Sequence, residues 1–276
     1  PMVVALASSG RVVVAYDLDP GRRDALDLDS VQTMGSLQGV ADAVETIILS
    51  LPSPEAAVSV CGELAPWPGL VLDTSTVGPS TSRLCAEILG GDRYCDSPIL
   101  GRPDGVGVWT IPIGGSLTST QRAVDTLRPL ARHIVRMGDV GTAATLKVVN
   151  NMMFSAINAV TAEALVLARA AGLDPTTFVS LISESGAATV SGLFRDVAPR
   201  AVTGDYAPVF SLNLLAKDAG LALELAESVG VPVDVVRASQ RLNLAGLAEG
   251  AGDLDTIAVV KALEAHTGVR VADQVS

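Results

Sequence analysis

The fold of this chain turns on residues 138–154, Gly138-Asp-Val-Gly-Thr-Ala-Ala-Thr-Leu-Lys147-Val-Val-Asn150-Asn151-Met-Met-Phe154. Two glycines break the chain around Asp139-Val140, and from Thr142 to Ala171 nothing interrupts a helix. Roughly thirty residues at 1.5 Å rise make a helix of about 45 Å. Gly172 supplies its stop, and Asp174-Pro175 supplies a cap and a first-turn proline for the next helix. The remainder of the chain reads as helix throughout, near 175–185, 189–200, 211–229, 232–249 and 254–266. The residues before the long helix alternate. Arg11–Tyr16, Thr46–Leu51, Gly69–Asp73, Trp109–Ile113 and His133–Met137 read as strands, with helices near 1–9, 20–28, 54–64, 79–90 and 118–130. Such alternation predicts parallel βαβ units, and the continuously apolar runs suit strands buried on both faces. The expected architecture is therefore a doubly wound, parallel α/β domain over residues 1–140, followed by an all-α domain over 141–276. The long helix lies at the junction.

Composition narrows the function classes. The 276 residues are 49% hydrophobic, 18% charged and only 3% aromatic, so a sizeable core must be built from Ala, Val and Leu. A net charge of −11 argues against nucleic acid, which needs basic stripes. The three cysteines, Cys61, Cys85 and Cys95, show no CxxC spacing and read as reduced thiols, which with the lack of a recognisable leader points to the cytoplasm. Two histidines exclude a His-rich metal site, and no metal is expected. The apolar stretch 142–172 carries Lys147, Asn150, Asn151, Asn158 and Glu163, a load that hydrocarbon tolerates poorly, so no membrane span is expected.

Lys147, Asn150 and Asn151 stand at i, i+3 and i+4 and share one helical face among apolar neighbours. Burying that face without partners is costly, so it is expected to line a solvated cleft. Oxidising a secondary alcohol needs a base for the hydroxyl proton and an acceptor for the hydride. A lysine in apolar surroundings can serve as that base, and as the acid in reverse. A snorkelling lysine is the competing reading. Asp17, at the end of the second expected strand position of a dinucleotide fold, could receive ribose hydroxyls if a GxGxxG loop lay just before Pro1; the motif does not occur in these residues. Alternatively Asp17-Leu-Asp-Pro20 is a turn and helix cap.

Six segments in order give the chain a wider resemblance: Pro1-Met2, Leu51-Pro52, Asp73-Thr-Ser-Thr76 with Pro79, Asp96-Ser-Pro-Ile-Leu-Gly101, Gly141-x5-Lys147-x2-Asn150-Asn151, and Lys217-Asp218. From Pro1 to about residue 266 they resemble the 3-hydroxyisobutyrate dehydrogenases, the β-hydroxyacid dehydrogenase family, in its GLGxMG-adjacent helix, DxST, DAPVSGG, GxxxxxKxxNN and KDLxLA patterns. The resemblance implies a Rossmann-type first domain whose first strand and glycine loop would precede Pro1. It implies hydride transfer between NAD or NADP and a small 3-hydroxy acid or its semialdehyde. Lys147 would be the proton donor and acceptor. Leu100, Gly101, Arg102, Asn150 and Asn151 would bind substrate, and Asp17, Leu51, Pro52, Thr76 and Lys217 would bind cofactor. Asp17 favours NAD, because an acid repels a 2′-phosphate. A homodimer or homotetramer is implied through the helical half. One departure stands out: Leu100-Gly101-Arg102 replaces Ser-Gly-Gly, removing a hydroxyl and adding a guanidinium that could clamp a carboxylate or face solvent. An imine reductase-like, NADPH-dependent enzyme and a catalytically silent interaction protein are the alternatives. The first generally lacks a lysine at the position of Lys147; the second is favoured only by the missing glycine loop.

Overall fold

A computed structural model describes residues 1–26, 28, 30–185 and 191–272. The chain forms two compact units, residues 1–147 and 148–276.

The first unit runs α1 (Met2–Ser8), β1 (Val13–Ala15), α2 (Pro20–Asp24), β2 (Val31–Thr33), α3 (Leu37–Ala43), β3 (Thr46–Leu49), α4 (Pro54–Glu63), β4 (Leu70–Asp73), α5 (Pro79–Leu89), β5 (Tyr94–Asp96), β6 (Trp109–Gly114), α6 (Leu117–Leu127) and β7 (Ala131–Gly138). β1 and β2 pair in parallel, and the remaining strands form a sheet in the order β3-β4-β5-β6-β7. β4 explains the burial. Its four residues are all buried, with Leu70 and Leu72 packed among Leu6, Ile111, Ile113 and Leu127, while Val71 packs among Ile47, Leu49, Ala57 and Cys61. Side chains alternate across a strand, so both faces of the sheet are covered. All three cysteines are free and buried in these layers.

The alternation predicts a wholly parallel sheet, and the sheet departs from that at one strand pair. β6 runs antiparallel to β5, with Asp96 opposite Gly114. The reason is the connection: residues 97–108 hold a single 3-10 turn, Pro103–Gly105, in place of a crossover helix, so the chain turns straight back. α6 restores the crossover, and β7 lies parallel to β6.

α7 (Thr142–Ala170) starts in the first unit and continues into the second. There it is joined by α8 (Pro175–Glu184), α9 (Gly192–Thr203), α10 (Leu212–Ser228), α11 (Asp234–Ala248) and α12 (Val260–Thr267). The expected helix over 189–200 begins in part outside the described residues; its described portion is α9, capped by the Ser191 hydroxyl on the Phe194 N–H. Leu165, Phe194, Leu212, Leu215, Ile257 and Val259 form the core of this unit. By length and composition α7 could cross a membrane, yet half of the apolar 18-residue window that qualifies it is buried inside the structure. Buried polar residues on it have internal partners, since Asn158 donates to the Thr256 carbonyl and Ser155 bonds Ser239 and Asn243.

Candidate active site

The first cluster grows from the end of β5. Asp96 closes that strand, and the Ser97 N–H donates to the Asp73 carbonyl at 2.8 Å, fixing the direction of the loop beyond it. Leu100 and Thr110 exchange backbone hydrogen bonds of 2.9 and 3.1 Å, which hold the loop against β6. The buried Trp109 indole N–H donates to the Arg102 carbonyl at 2.6 Å. Its ring explains Gly101: a Cβ there would stand 2.3 Å from Trp109 Cδ1. Leu100 is half-buried, and Gly101 and Arg102 are exposed.

Lys147 reaches this loop. Its half-buried Nζ donates to the Ile99 carbonyl at 2.8 Å. The turn that carries it is held by Asp96, whose carboxylate accepts the Gly141 N–H at 2.9 Å and the Ala144 N–H at 2.7 Å. Burial pushes the Asp96 carboxyl above its ordinary pKa, and these two backbone donors oppose the shift. Asp73 is raised by burial too, against hydrogen bonds from Ser75 and Tyr94.

The expected cofactor residues of this unit lie just past the carboxyl ends of parallel strands, where ligands bind in open α/β sheets. Asp17 comes after β1, Leu51 and Pro52 after β3, and Thr76 after β4. Ser75 ties two of these ends together, because its hydroxyl accepts the Leu51 N–H at 2.8 Å. Asp17 takes part in a turn, accepting the Asp19 N–H at 2.9 Å, but the cap of α2 is Asp19, which accepts the Gly21 N–H at 2.8 Å. Asp17 thus keeps a partly exposed carboxylate. A carboxylate at the end of such a strand suits ribose hydroxyls. The glycine cradle that a pyrophosphate needs is not among these 276 residues.

The second cluster lies in the helical unit. The Asn150 amide donates to Asn151 Oδ1 at 3.0 Å, and Asn151 Nδ2 donates to Asp218 Oδ2. The Lys217 ammonium pairs with Asp218 Oδ1 at 2.8 Å. Asp218 is 1% exposed, so this is a buried charge with an ammonium and an amide as partners. Asn150, Asn151 and Lys217 are thereby brought together, while Lys147 and the 100–102 loop gather in the first unit. Two residues of these clusters carry no expected role. Asp218 was signalled by the Lys217-Asp218 pair itself. Asp96 has only its place in the 96–101 segment to mark it.

Residues 1–138 match the family described as the NAD binding domain of 6-phosphogluconate dehydrogenase, and residues 141–263 match that described as NAD-binding of NADP-dependent 3-hydroxyisobutyrate dehydrogenase. The 2-(hydroxymethyl)glutarate dehydrogenase of Eubacterium barkeri is 30% identical over 286 residues, covering 99% of this chain and 93% of the relative. The 3-hydroxyisobutyrate dehydrogenase of Pseudomonas aeruginosa is 32% identical over 244 residues, 83% of this chain and 82% of the relative. A crystal structure of 3-hydroxyisobutyrate dehydrogenase from Salmonella typhimurium shares the fold with a TM-score of 0.84 at 21% identity, covering 94% of each chain. The chain is a member of the 3-hydroxyisobutyrate dehydrogenase family of nicotinamide-dependent oxidoreductases.

Proposed function

We propose that this enzyme interconverts a small 3-hydroxy acid, of the size of 3-hydroxyisobutyrate, and its semialdehyde, with Lys147 moving the hydroxyl proton. The observation that carries the reading is the 2.8 Å bond from Lys147 Nζ to the Ile99 carbonyl, which aims the amine at the Leu100–Arg102 loop. An ammonium has three donors, so one can be anchored on a carbonyl while another faces substrate. In the reducing direction Nζ–H donates to the forming alkoxide; in the oxidising direction the neutral amine takes the hydroxyl proton. The nicotinamide, when bound, supplies or accepts the hydride. Gly101 offers its backbone N–H to the substrate carboxylate, Leu100 lines the loop beside it, and Arg102 offers a fork of donors. Asn151 orients substrate, and Asn150 fixes the Asn151 amide.

Asp17, Leu51, Pro52, Thr76 and Lys217 are the cofactor residues of this reading, and NAD is the preferred cofactor. Arg22 lies 3.9 Å from the Asp17 carboxylate and 3.8 Å from that of Asp19, while Arg23 donates to the Asp17 carbonyl. The nearby cations are thus engaged with the acidic turn that would repel a 2′-phosphate. The three buried thiols suit a reducing, cytoplasmic compartment. Val149, Met153, Val160 and Leu167 leave an exposed apolar line along α7, which supports a homodimer built on the helical unit. Sedimentation equilibrium should give twice the chain mass, and a monomer at micromolar concentration would refute that assembly.

The decisive test is Lys147→Met in the full-length gene product, assayed with 3-hydroxy acids by nicotinamide absorbance. Turnover should fall by about 10²–10⁴. Fluorescence titration should show NADH bound as in the wild type and more tightly than NADPH. Retained turnover would sink the assignment of Lys147.

A further inference from the structure

We infer that Asp96 is a positioning residue for this reaction: by capping α7 from a distant strand, it sets where Lys147 stands. The first N–H groups of a helix have no partner within it. Ordinarily the residue at the cap position supplies one from its own side chain. Here that position is Gly141, at φ +94°, where a Cβ would approach the Pro79 carbonyl oxygen to 3.2 Å and Arg83 Nε to 3.3 Å. A side chain is strained there, and the first turn of α7 contains no acid. The acceptor comes instead from Asp96, more than forty residues earlier, whose two oxygens take the Gly141 and Ala144 N–H groups. The facing strand leaves room for the carboxylate, since a Cβ on Gly114 would stand 2.4 Å from Asp96 Oδ1. A negative charge at a helix N-terminus is also favourable to the helix dipole.

The consequence for Lys147 is geometric. Lys147 is three residues beyond Ala144, hence on the same face of α7. Ile99, whose carbonyl receives Lys147 Nζ, is three residues beyond Asp96. The Asp96 side chain grips the helix one turn before the lysine, and its backbone leads into the carbonyl that grips the amine. One residue thus closes a ring of contacts through β5, the loop and the first turn of α7. Displacing the helix start moves the amine relative to the Leu100–Arg102 loop, and a misplacement of about 1 Å can cost 10²-fold in rate.

The role of Asp96 rests on Lys147 as the acid/base, and the test separates the two. Asp96→Asn keeps the shape but turns an N–H toward a backbone donor. In the full-length gene product, kcat should fall roughly 10- to 100-fold. KM and the NADH dissociation constant should change less than twofold, with full cofactor-binding stoichiometry showing that the protein is folded. In a Lys147→Ala background the same substitution should change the residual kcat less than twofold, because Asp96 acts through the lysine. An unchanged kcat in Asp96→Asn, or the same loss with and without Lys147, overturns the inference while leaving the acid/base reading intact. Full turnover in Lys147→Ala alone overturns that reading instead. If Asp96→Asn does not fold, Gly141→Ala disturbs the same capped amide from the helix side, and the same cycle decides.

Discussion

The two units hold their candidate site residues by opposite means. In the α/β unit the anchors are backbone groups: Lys147 rests on a carbonyl, Leu51 offers its N–H to Ser75, and Trp109 grips the carbonyl of Arg102. In the helical unit the anchors are side chains: Asn151 and Lys217 converge on the carboxylate of Asp218, and Asn150 holds the Asn151 amide. A backbone partner depends on where the chain runs and not on the side chain of the residue that supplies it. Side-chain anchoring depends on each partner's identity, and a buried charge makes the dependence steep. The same contrast separates the loop proposed to meet the substrate, where Leu100-Gly101-Arg102 departs from the family's Ser-Gly-Gly, from the helix-borne cluster, which resembles the family pattern.

The steepest expected effect is therefore at Asp218. Asp218→Ala takes this carboxylate away from the Lys217 ammonium and leaves the Asn151 amide without its acceptor. Breaking a buried pair costs about 3–5 kcal/mol, and because Lys217 keeps a 24% exposed side chain, the low end applies. Urea unfolding followed by helical circular dichroism should show a loss of about 3 kcal/mol. Asp218→Asn, which retains an acceptor for Asn151, should lose less. A loss below about 1 kcal/mol for Asp218→Ala, the range of exposed pairs, would erase the contrast between the units.

A smaller effect is expected in the backbone-anchored loop, at its tightest point. Gly101→Ala drives a methyl into the buried Trp109 ring, 2.3 Å away at Cδ1. Overpacking of this kind costs about 1–3 kcal/mol. The indole N–H should leave the Arg102 carbonyl, shifting tryptophan emission; Trp67 is the chain's other tryptophan, which makes the signal assignable. An unaltered spectrum with unaltered stability would show that the loop is not held by this contact.

The same division governs what the sequence reveals. β3 and β4 are legible because continuous apolar runs mark strands buried on both faces, and α8 because Asp174-Pro175 caps it. β2, α3 and β5 are not. Val31-Gln-Thr33 and Tyr94-Cys-Asp96 are three residues each, too short to show a period, and α3 has Gly39 inside seven residues. The α7 face is legible because helical spacing alone puts Lys147, Asn150 and Asn151 on one side of the helix. The Asp96 cap is not legible: its partners are backbone amides 45 and 48 residues away, and only the folded sheet brings them within reach.

The smallest effect, and the finest test of the contrast, is Arg102→Ala. Trp109 binds the carbonyl of residue 102, a contact that truncation of the side chain leaves intact. The loss is confined to the side chain of an exposed residue. If the guanidinium meets the substrate carboxylate, KM for 3-hydroxy acids should rise about tenfold, the equivalent of about 1.4 kcal/mol. KM for neutral aldehydes and cyclic imines should not move, nor should kcat, because Lys147 is anchored on the Ile99 carbonyl. An unchanged KM for the acids would mean that backbone groups of the loop receive the carboxylate by themselves. The α/β unit would then rely on its backbone for substrate as well as for its lysine, and the replacement of the family's Ser-Gly-Gly by Leu100-Gly101-Arg102 would be neutral for acid binding.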